Sequence, residues 1–245
     1  MTNNKICIMP MVGSGSRFLK KGYITPKPLI KINKIPMFLR ASKSFNKNNK
    51  WIFLLKKNNH ERQFTQLIKK NFKRFKIIIL DKKTDGQART VFKAKKNITN
   101  ESNIFVSSCD LYIKYNNDKL DCKLKNNDFV VFVHKPNTFN IKKSSDFGWI
   151  KIKNNKIIKS ACKSTVSSNP KNDWIILGSF VFKNKKIFNK ILRELFTSKI
   201  KVKNEYYLDT CIEVALKLNL KVTFMKIDKY ISWGTPVELK NNYYK

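Results

Sequence analysis

The feature that most constrains the fold is a regular alternation of short apolar runs with segments of helical periodicity. Runs typical of buried strands occupy residues 6–11, 51–55, 75–80 and 104–107. Helical spacing of apolar residues lies between them, at residues 36–45, 60–72 and 88–98. Strands joined in this way by helices favour βαβ crossovers, in which successive strands run parallel.

The pattern changes after Asp110. Strand-like runs without obvious intervening helices occupy residues 129–134, 148–152, 156–158 and 175–182. They predict an antiparallel extension of the sheet. Helical patterns return at residues 186–196, 207–218 and 235–243, with a strand pattern at residues 221–227. We therefore predict a three-layer, Rossmann-like α/β fold: a mixed, mainly parallel sheet with helices on both faces.

No repeat and no long linker divides the chain, so residues 1–245 are expected to form one domain. The polar segment 135–145 is predicted to be a mobile loop over a site. No apolar run approaches the roughly 18 residues that a membrane span needs, and the first five residues are too short and polar for a secretory signal. We expect a cytoplasmic protein.

The charge is strongly basic, with 52 Lys and Arg against 16 Asp and Glu and a formal net charge of +36. Only six of these cations are arginines, the residue that phosphate and base recognition favours, and the lysines are scattered among Asn and Ile. Nucleic-acid binding is therefore not predicted as the main function, because charge of this kind bears on solubility and association rather than on a specific site. Five cysteines without a CxxC pair favour reduced thiols.

A glycine-containing turn follows the first predicted strand. It carries Gly13 and Gly15, and such turns let backbone N–H groups approach phosphate oxygens. The dinucleotide fingerprint lacks its third glycine here, and no P-loop lysine follows. Arg17 and Lys27 come next, the latter between two prolines. Two cations near a triphosphate could neutralise the charge that builds on a departing pyrophosphate.

Asp110 follows the apolar run 104–107, three residues after its end. A carboxylate in this position lies at the carboxyl edge of a parallel sheet, where open α/β folds bind ligands. Magnesium is commonly held by one or two carboxylates together with phosphate oxygens. The sequence thus predicts a Mg²⁺ ligand at Asp110, with a turn-capping aspartate as the structural alternative.

Several segments together resemble the sugar-phosphate nucleotidyltransferases, the pyrophosphorylases that make nucleotide sugars, whose relatives activate phosphocholine. The similar segments are residues 10–18, 25–29, 34–37, 86–91 with Ala94, 104–110, 147–150, 161–163, 204–208 and 233–239. Each match is modest. Their order and spacing through most of the chain make the resemblance specific.

The resemblance implies an enzyme that moves a nucleotidyl group from a nucleoside triphosphate to a phosphorylated small molecule such as a sugar 1-phosphate. It implies catalytic roles for Arg17, Lys27 and Asp110, with Asp110 binding Mg²⁺. Nucleotide contacts are implied for Met11, Val12, Gly13, Ser14, Gly15, Ser16 and Gly86. Acceptor contacts are implied for Gly148, Lys163 and Glu205.

The sequence departs from the family pattern at several of these positions. Many members carry a second metal-binding aspartate where this chain has Ser232, and a hydroxyl is a poorer ligand for Mg²⁺. Asp228 could substitute, or the ion could rely on Asp110, water and substrate phosphates. Cys162 stands where the family commonly has a glutamate beside Lys163, and Val12 and Ser14 alter the glycine turn.

Three other classes stay open at this point. A nucleotide-sugar glycosyltransferase with a similar sheet is disfavoured because Asp110 is not part of an Asp-x-Asp pair. A non-catalytic protein that binds nucleotide or nucleotide sugar is consistent with Ser232. A nucleic-acid or membrane binder is the weakest alternative, and its affinity would fall steeply with salt.

Overall fold

The computed structural model describes residues 4–244. The expectation about a secretory signal falls partly on residues 1–3, which lie outside the described residues. The strands are β1 (Lys5–Met11), β2 (Lys31–Ile32), β3 (Ile35–Pro36), β4 (Lys50–Lys56), β5 (Phe75–Leu80), β6 (Asn103–Val106), β7 (Leu111–Lys114), β8 (Phe129–His134), β9 (Gly148–Lys153), β10 (Lys156–Cys162), β11 (Trp174–Phe182), β12 (Val222–Lys226) and β13 (Lys229–Ser232). The helices are α1 (Ser16–Leu19), α2 (Met37–Ser42), α3 (Glu61–Asn71), α4 (Gln87–Phe92), α5 (Asn117–Asn126), α6 (Thr138–Lys142), α7 (Lys185–Thr197), α8 (Cys211–Lys217) and α9 (Pro236–Asn241).

The central sheet joins a parallel part to an antiparallel part. Strands β5, β4, β1 and β6 lie side by side and are parallel. β11 then runs antiparallel to β6, β8 and β9, and β10 pairs antiparallel with β9. β12 is parallel to β8. The parallel part and the antiparallel extension are both confirmed.

Helices cover both faces of this sheet, because alternate strand residues point to opposite sides. On one face Ile6 and Ile8 of β1 pack in a cluster with residues of α4, α7 and α8. On the other, Cys7 and Met9 pack with residues of α2, α3 and α5. The predicted three-layer, Rossmann-like fold is therefore confirmed. In residues 4–244 no helix combines the length and apolar character needed to cross a membrane.

A third, smaller cluster supports the glycine turn from outside the sheet. Phe18 of α1 packs with Met37 of α2 and with Trp233 near the end of the chain. β13 pairs antiparallel with β7, and this two-stranded ribbon joins the C-terminal segment to the residues that follow Asp110. Residues more than a hundred positions apart in sequence are thereby held beside the same sheet edge.

Three local predictions are wrong. The polar segment 135–145 is not a plain loop, since it contains α6, capped reciprocally by Asn137 and Asn140. The region between Asp110 and residue 129 contains β7 and the helix α5, which sequence patterning missed because α5 buries only Leu120 and Leu124. The helix predicted from residue 207 begins at Cys211, after a turn.

Candidate active site

A cleft of two adjoining lobes opens at the carboxyl ends of the parallel strands. The first lobe, about 390 Å³, lies between the glycine turn after β1 and the start of α4. The second, about 230 Å³, lies between β9, β11 and the turn before α8. Arg17, Lys27 and Asp110 line both lobes. This is the sheet edge at which ligands of open α/β folds bind.

The glycine turn forms one wall of the first lobe. The six predicted nucleotide-contact residues of this turn all line it: Met11, Val12, Gly13, Ser14, Gly15 and Ser16. Gly15 has a φ of 64°, and a Cβ added there would lie 3.1 Å from the Cβ of Lys27. A left-handed backbone and this close approach both favour glycine. The turn is thus packed directly against the segment that carries Lys27.

Lys27 lies where the two lobes meet. Its Nζ donates to Oδ2 of Asp110 at 2.5 Å and to the carbonyl oxygen of Gly234 at 2.9 Å. The backbone N–H of Trp233 donates to the carbonyl oxygen of Asp110 at 2.8 Å. Three distant segments therefore meet around one cation and one carboxylate.

Both members of this pair stay charged. Burial alone would lower the pKa of Lys27, but the Asp110 carboxylate outweighs it and raises the pKa above its ordinary value. Burial alone would raise the pKa of Asp110. The Lys27 ammonium, with hydrogen bonds from Lys27 and from the Ser108 hydroxyl, outweighs it and lowers the pKa. At neutral pH the junction of the lobes therefore presents an ammonium and a carboxylate.

Gly86 closes the first lobe at the start of α4. Its φ is 122°, and an added Cβ would lie 2.4 Å from the backbone nitrogen and oxygen of Tyr206. The N–H of Tyr206 donates to the carbonyl oxygen of Asp85 at 2.7 Å, and that of Ala88 donates to the carbonyl oxygen of Tyr206 at 3.0 Å. Only glycine fits here, because the chain of residue 206 touches the turn itself.

Two predicted cations are bridged by one aspartate that sequence reasoning missed. Arg17 Nη2 lies 2.6 Å from Oδ1 of Asp146, across the cleft from the glycine turn. Lys163 Nζ donates to the backbone carbonyl of Asp146. Arg17 is half-exposed and lines both lobes, whereas Lys163 lines the second. Asp146 therefore holds both cations at the mouth of the second lobe.

Glu205 lies at the edge of the first lobe rather than deep in the second. Its Oε1 accepts from Lys83 Nζ at 2.9 Å. This hydrogen bond, with one from Tyr207, lowers the pKa of Glu205. Lys83 was not predicted, since nothing marks it among so many lysines. Gly148, by contrast, lines the second lobe.

Asp228 is separated from Asp110, and the expectation that they share a metal ion is corrected. Ser232 pairs with Leu111 at one end of the β7–β13 ribbon, and Lys229 with Lys114 at the other. The N–H of Asp228 donates to the carbonyl oxygen of Lys114 at 2.8 Å. At roughly 3.3 Å per residue this places Asp228 about 13 Å along the ribbon from Asp110. Asp228 is exposed and lines neither lobe.

Asp110 fits one position in a magnesium site. It is an ionised carboxylate open to both lobes, which is the oxygen ligand that Mg²⁺ prefers. The Oγ of Ser232 and the carboxylate of Glu238 are also nearby, since both approach the position of an added Gly234 Cβ as Asp110 does. Within residues 4–244 no cluster of three or more His, Cys, Asp or Glu is arranged to hold a metal. An ion bound here would therefore take part of its coordination from outside the chain.

Asp209 is the other carboxylate that sequence reasoning missed. It lies in the turn before α8 and lines the second lobe beside Gly148 and Lys163. Burial raises its pKa from 3.8 to about 6, although the Lys163 ammonium opposes the shift. Its negative charge contributes to the raised pKa of three neighbouring groups, those of Tyr207, Cys162 and Cys211.

This raised pKa predicts that Asp209 lowers stability at neutral pH. The folded state holds the proton more tightly than the unfolded state, so ionisation costs up to about 3 kcal/mol above pH 6 and nothing below pH 3.8. Asp209→Asn is therefore expected to unfold at higher urea concentration than the wild type at pH 7.5, with the difference vanishing toward pH 4. A difference that is independent of pH would contradict the assignment.

The comparisons with known proteins agree with this architecture. Residues 8–235 match the family model of nucleotidyl transferases. The fold superposes on a nucleoside-diphosphate-sugar pyrophosphorylase from Vibrio cholerae with a TM-score of 0.81 and 21% identity, covering 98% of this chain and 100% of the other. It also superposes on the inositol-1-phosphate CTP transferase from T. maritima, with a TM-score of 0.74 and 15% identity, covering 98% and 93%. No curated protein sequence matches significantly.

Fold and cleft together define an α/β protein in which a glycine turn lies with Arg17, Lys27 and Asp110 at the carboxyl edge of a parallel sheet. Since the family match covers most of the chain, the protein belongs to the nucleotidyl transferase family. It is a nucleotidyltransferase. The resemblance identified from the sequence motifs is confirmed.

Proposed function

We propose that this enzyme transfers a nucleotidyl group from a nucleoside triphosphate to a sugar 1-phosphate and releases pyrophosphate, in the synthesis of a nucleotide sugar. The observation that carries the proposal is the Lys27–Asp110 pair at the junction of two lobes, one beside a glycine turn and one beside a second lysine. Such a cleft can hold two phosphorylated ligands end to end. The names of the pyrophosphorylase and transferase structures that share the fold support this reading.

In the proposed reaction a phosphate oxygen of the acceptor attacks the α-phosphorus of the triphosphate. A new P–O bond forms, the bond from the α-phosphorus to the α,β-bridging oxygen breaks, and the electron pair leaves with pyrophosphate. The chain's contribution is mainly positioning and charge neutralisation, as in phosphoryl transfer generally. No covalent intermediate with the protein is needed.

The residues divide between the two ligands. The turn from Met11 to Ser16 would cradle the triphosphate through backbone N–H groups, with Arg17 and Lys27 neutralising charge on its leaving end. Gly86 would lie against the base, and Lys163 would hold the acceptor's phosphate. We propose that Glu205 and Gly148 flank the acceptor from the two lobes.

We propose Mg²⁺ as the cofactor, held by Asp110 and completed by water and substrate phosphates. When bound, the ion supplies positive charge that offsets the charge on the phosphate groups. Lys27 then needs a different partner. Its ammonium would turn from Asp110 toward the phosphates while keeping the carbonyl of Gly234.

We further propose a cytoplasmic enzyme formed by a single domain. The central sheet takes strands from Lys5 in β1 to Lys226 in β12, which supports one domain over residues 1–245.

The proposal predicts Mg²⁺-dependent pyrophosphate release with one nucleoside triphosphate and one acceptor. The measurement is a coupled pyrophosphate assay over ATP, GTP, CTP, UTP and dTTP, each with a panel of sugar 1-phosphates and phosphocholine. If pyrophosphate is released with phosphocholine alone, the acceptor is phosphocholine and not a sugar 1-phosphate. Nucleotide binding without release would favour a non-catalytic binder, and sugar transfer from a nucleotide sugar would favour a glycosyltransferase.

A further inference from the structure

The second lobe is richer in acidic side chains than a chain of this composition would suggest. Its charged lining residues are Arg17, Lys27, Lys163, Asp110, Asp146, Asp209 and Glu238. Carboxylates outnumber cations there, although the whole chain has 52 cationic and 16 acidic residues. Four of those 16 acidic residues therefore line one small lobe.

Three of the four already have partners. Asp110 pairs with Lys27 at 2.5 Å and Asp146 with Arg17 at 2.6 Å. Glu238 accepts from the Thr235 hydroxyl at 2.9 Å. The carboxylate of Asp209 accepts no hydrogen bond from the residues that the structure describes, and Lys163 beside it donates to the carbonyl of Asp146 instead. Among these four carboxylates Asp209 is thus the one that accepts no hydrogen bond from the described residues.

The position of Asp209 is fixed by close packing. A Cβ added to Gly148 would lie 2.2 Å from Oδ2 of Asp209, so the carboxylate lies directly against the backbone of β9. The turn that carries it is held by the hydrogen bond from the N–H of Cys211 to the carbonyl oxygen of Leu208 at 3.0 Å. Gly148 is required here because it leaves room for this carboxylate. The group is preorganised at the wall of the lobe.

A partly buried carboxylate without a donor is costly, because removal from water is not compensated by hydrogen bonds. Such a group in a binding cleft is a candidate for ligand recognition. Lys163 lies beside it and is proposed above to hold the acceptor's phosphate. A ligand anchored on Lys163 would place its remaining atoms close to Asp209.

We propose that Asp209 determines acceptor specificity by accepting a hydrogen bond from a donor group on the non-phosphate part of the acceptor. The donor is a hydroxyl or an ammonium group, as in a hexose or an amino-hexose phosphate. This inference rests on the proposed function, because it assigns one end of the acceptor to Asp209 and the other to Lys163. It excludes acceptors that present only apolar groups at this wall.

The test compares Asp209→Ala and Asp209→Asn with the wild type, using D-glucose 1-phosphate and D-glucosamine 1-phosphate as probes. Asp209→Ala is expected to raise the KM of the preferred acceptor about 10- to 100-fold, the range for losing a hydrogen bond to a charged group. The KM of the nucleotide should not change. Asp209→Asn should retain much of the affinity for a hydroxyl donor, since its amide oxygen still accepts. It should weaken the binding of an ammonium donor more, because the ion pair is lost. Asp118→Asn, exposed on α5, is the matched control.

Acceptor binding to each variant is also followed by calorimetry, and folding by urea denaturation. An acceptor that binds wild type and Asp209→Ala equally well overturns the role of Asp209 and leaves the proposed function standing. A second outcome is that the wild type binds the acceptor more tightly than Asp209→Ala but releases no pyrophosphate. This result supports the role of Asp209 and overturns the proposed reaction. No binding of either probe to folded wild type, with none for the wider panel of sugar 1-phosphates, overturns both.

Discussion

Asp110→Asn is expected to reduce pyrophosphate release by about 10²- to 10³-fold. The change removes the carboxylate proposed to hold Mg²⁺ and the partner of Lys27, and single electrostatic contacts in active sites are commonly worth 10²–10³-fold in turnover. The fold should persist. Lys27 keeps its hydrogen bond to the carbonyl of Gly234, and the Lys27–Asp110 pair is partly exposed. The loss in the free energy of unfolding should therefore be smaller than the total of about 5–15 kcal/mol that is usual for a folded protein.

The measurement is kcat at saturating Mg²⁺ and substrates, with urea denaturation as the check on folding. Asp228→Asn is the matched control, because Asp228 is exposed at the far end of the β7–β13 ribbon. It should keep kcat within about twofold, as surface substitutions usually have small effects. Full activity of a folded Asp110→Asn enzyme would refute the metal assignment. Loss of activity in Asp228→Asn would show that Asp228 takes part in the site.

Gly86→Ala should lower the free energy of unfolding by about 3 kcal/mol or more and weaken nucleotide binding, because Gly86 lines the first lobe. Two penalties combine at this position. A φ of 122° is strained for any residue with a Cβ, and that Cβ would lie 2.4 Å from the backbone of Tyr206. The backbone cannot simply move away, because hydrogen bonds from Tyr206 to Asp85 and from Ala88 to Tyr206 hold it on both sides.

Gly22→Ala separates these penalties. Gly22 also has a positive φ, 82°, but an added Cβ would meet nothing within 4 Å. We expect a loss of about 1–2 kcal/mol there, the cost of a left-handed alanine. Both variants are compared by urea denaturation, and nucleotide binding by calorimetry. Equal losses of stability in the two variants would mean that backbone conformation, rather than contact with residue 206, explains Gly86.

Sequence reasoning was strongest where the signal is local. The strand before the glycine turn and the strand before Asp110 are continuous apolar runs, and the edge where their ends meet follows from the parallel arrangement. Lys27 was found through motif resemblance, and the structure places it against both Gly15 and Asp110. The order of the motifs along the chain was therefore enough to predict that Gly15, Lys27 and Asp110 belong to one site.

The errors arise from long-range packing. Asp228 and Ser232 are four residues apart, and which of them lies beside Asp110 depends on the register of β13 against a strand more than a hundred residues earlier. Asp209 looks in sequence like an ordinary acidic residue ahead of a helix. Its closeness to Gly148 depends on how β9 packs against the turn before α8, which no local pattern reveals.

The paired charges of the cleft have a consequence for how the enzyme meets its ligands. The net charge of +36 favours the approach of anions in general. Inside, Arg17 and Lys27 are each already matched by a carboxylate. An incoming anion must therefore exchange partners with Asp146 or Asp110 before it gains a cation. Binding in the cleft is therefore coupled to the breaking of these ion pairs, whereas attraction by the net charge of the chain needs no such exchange.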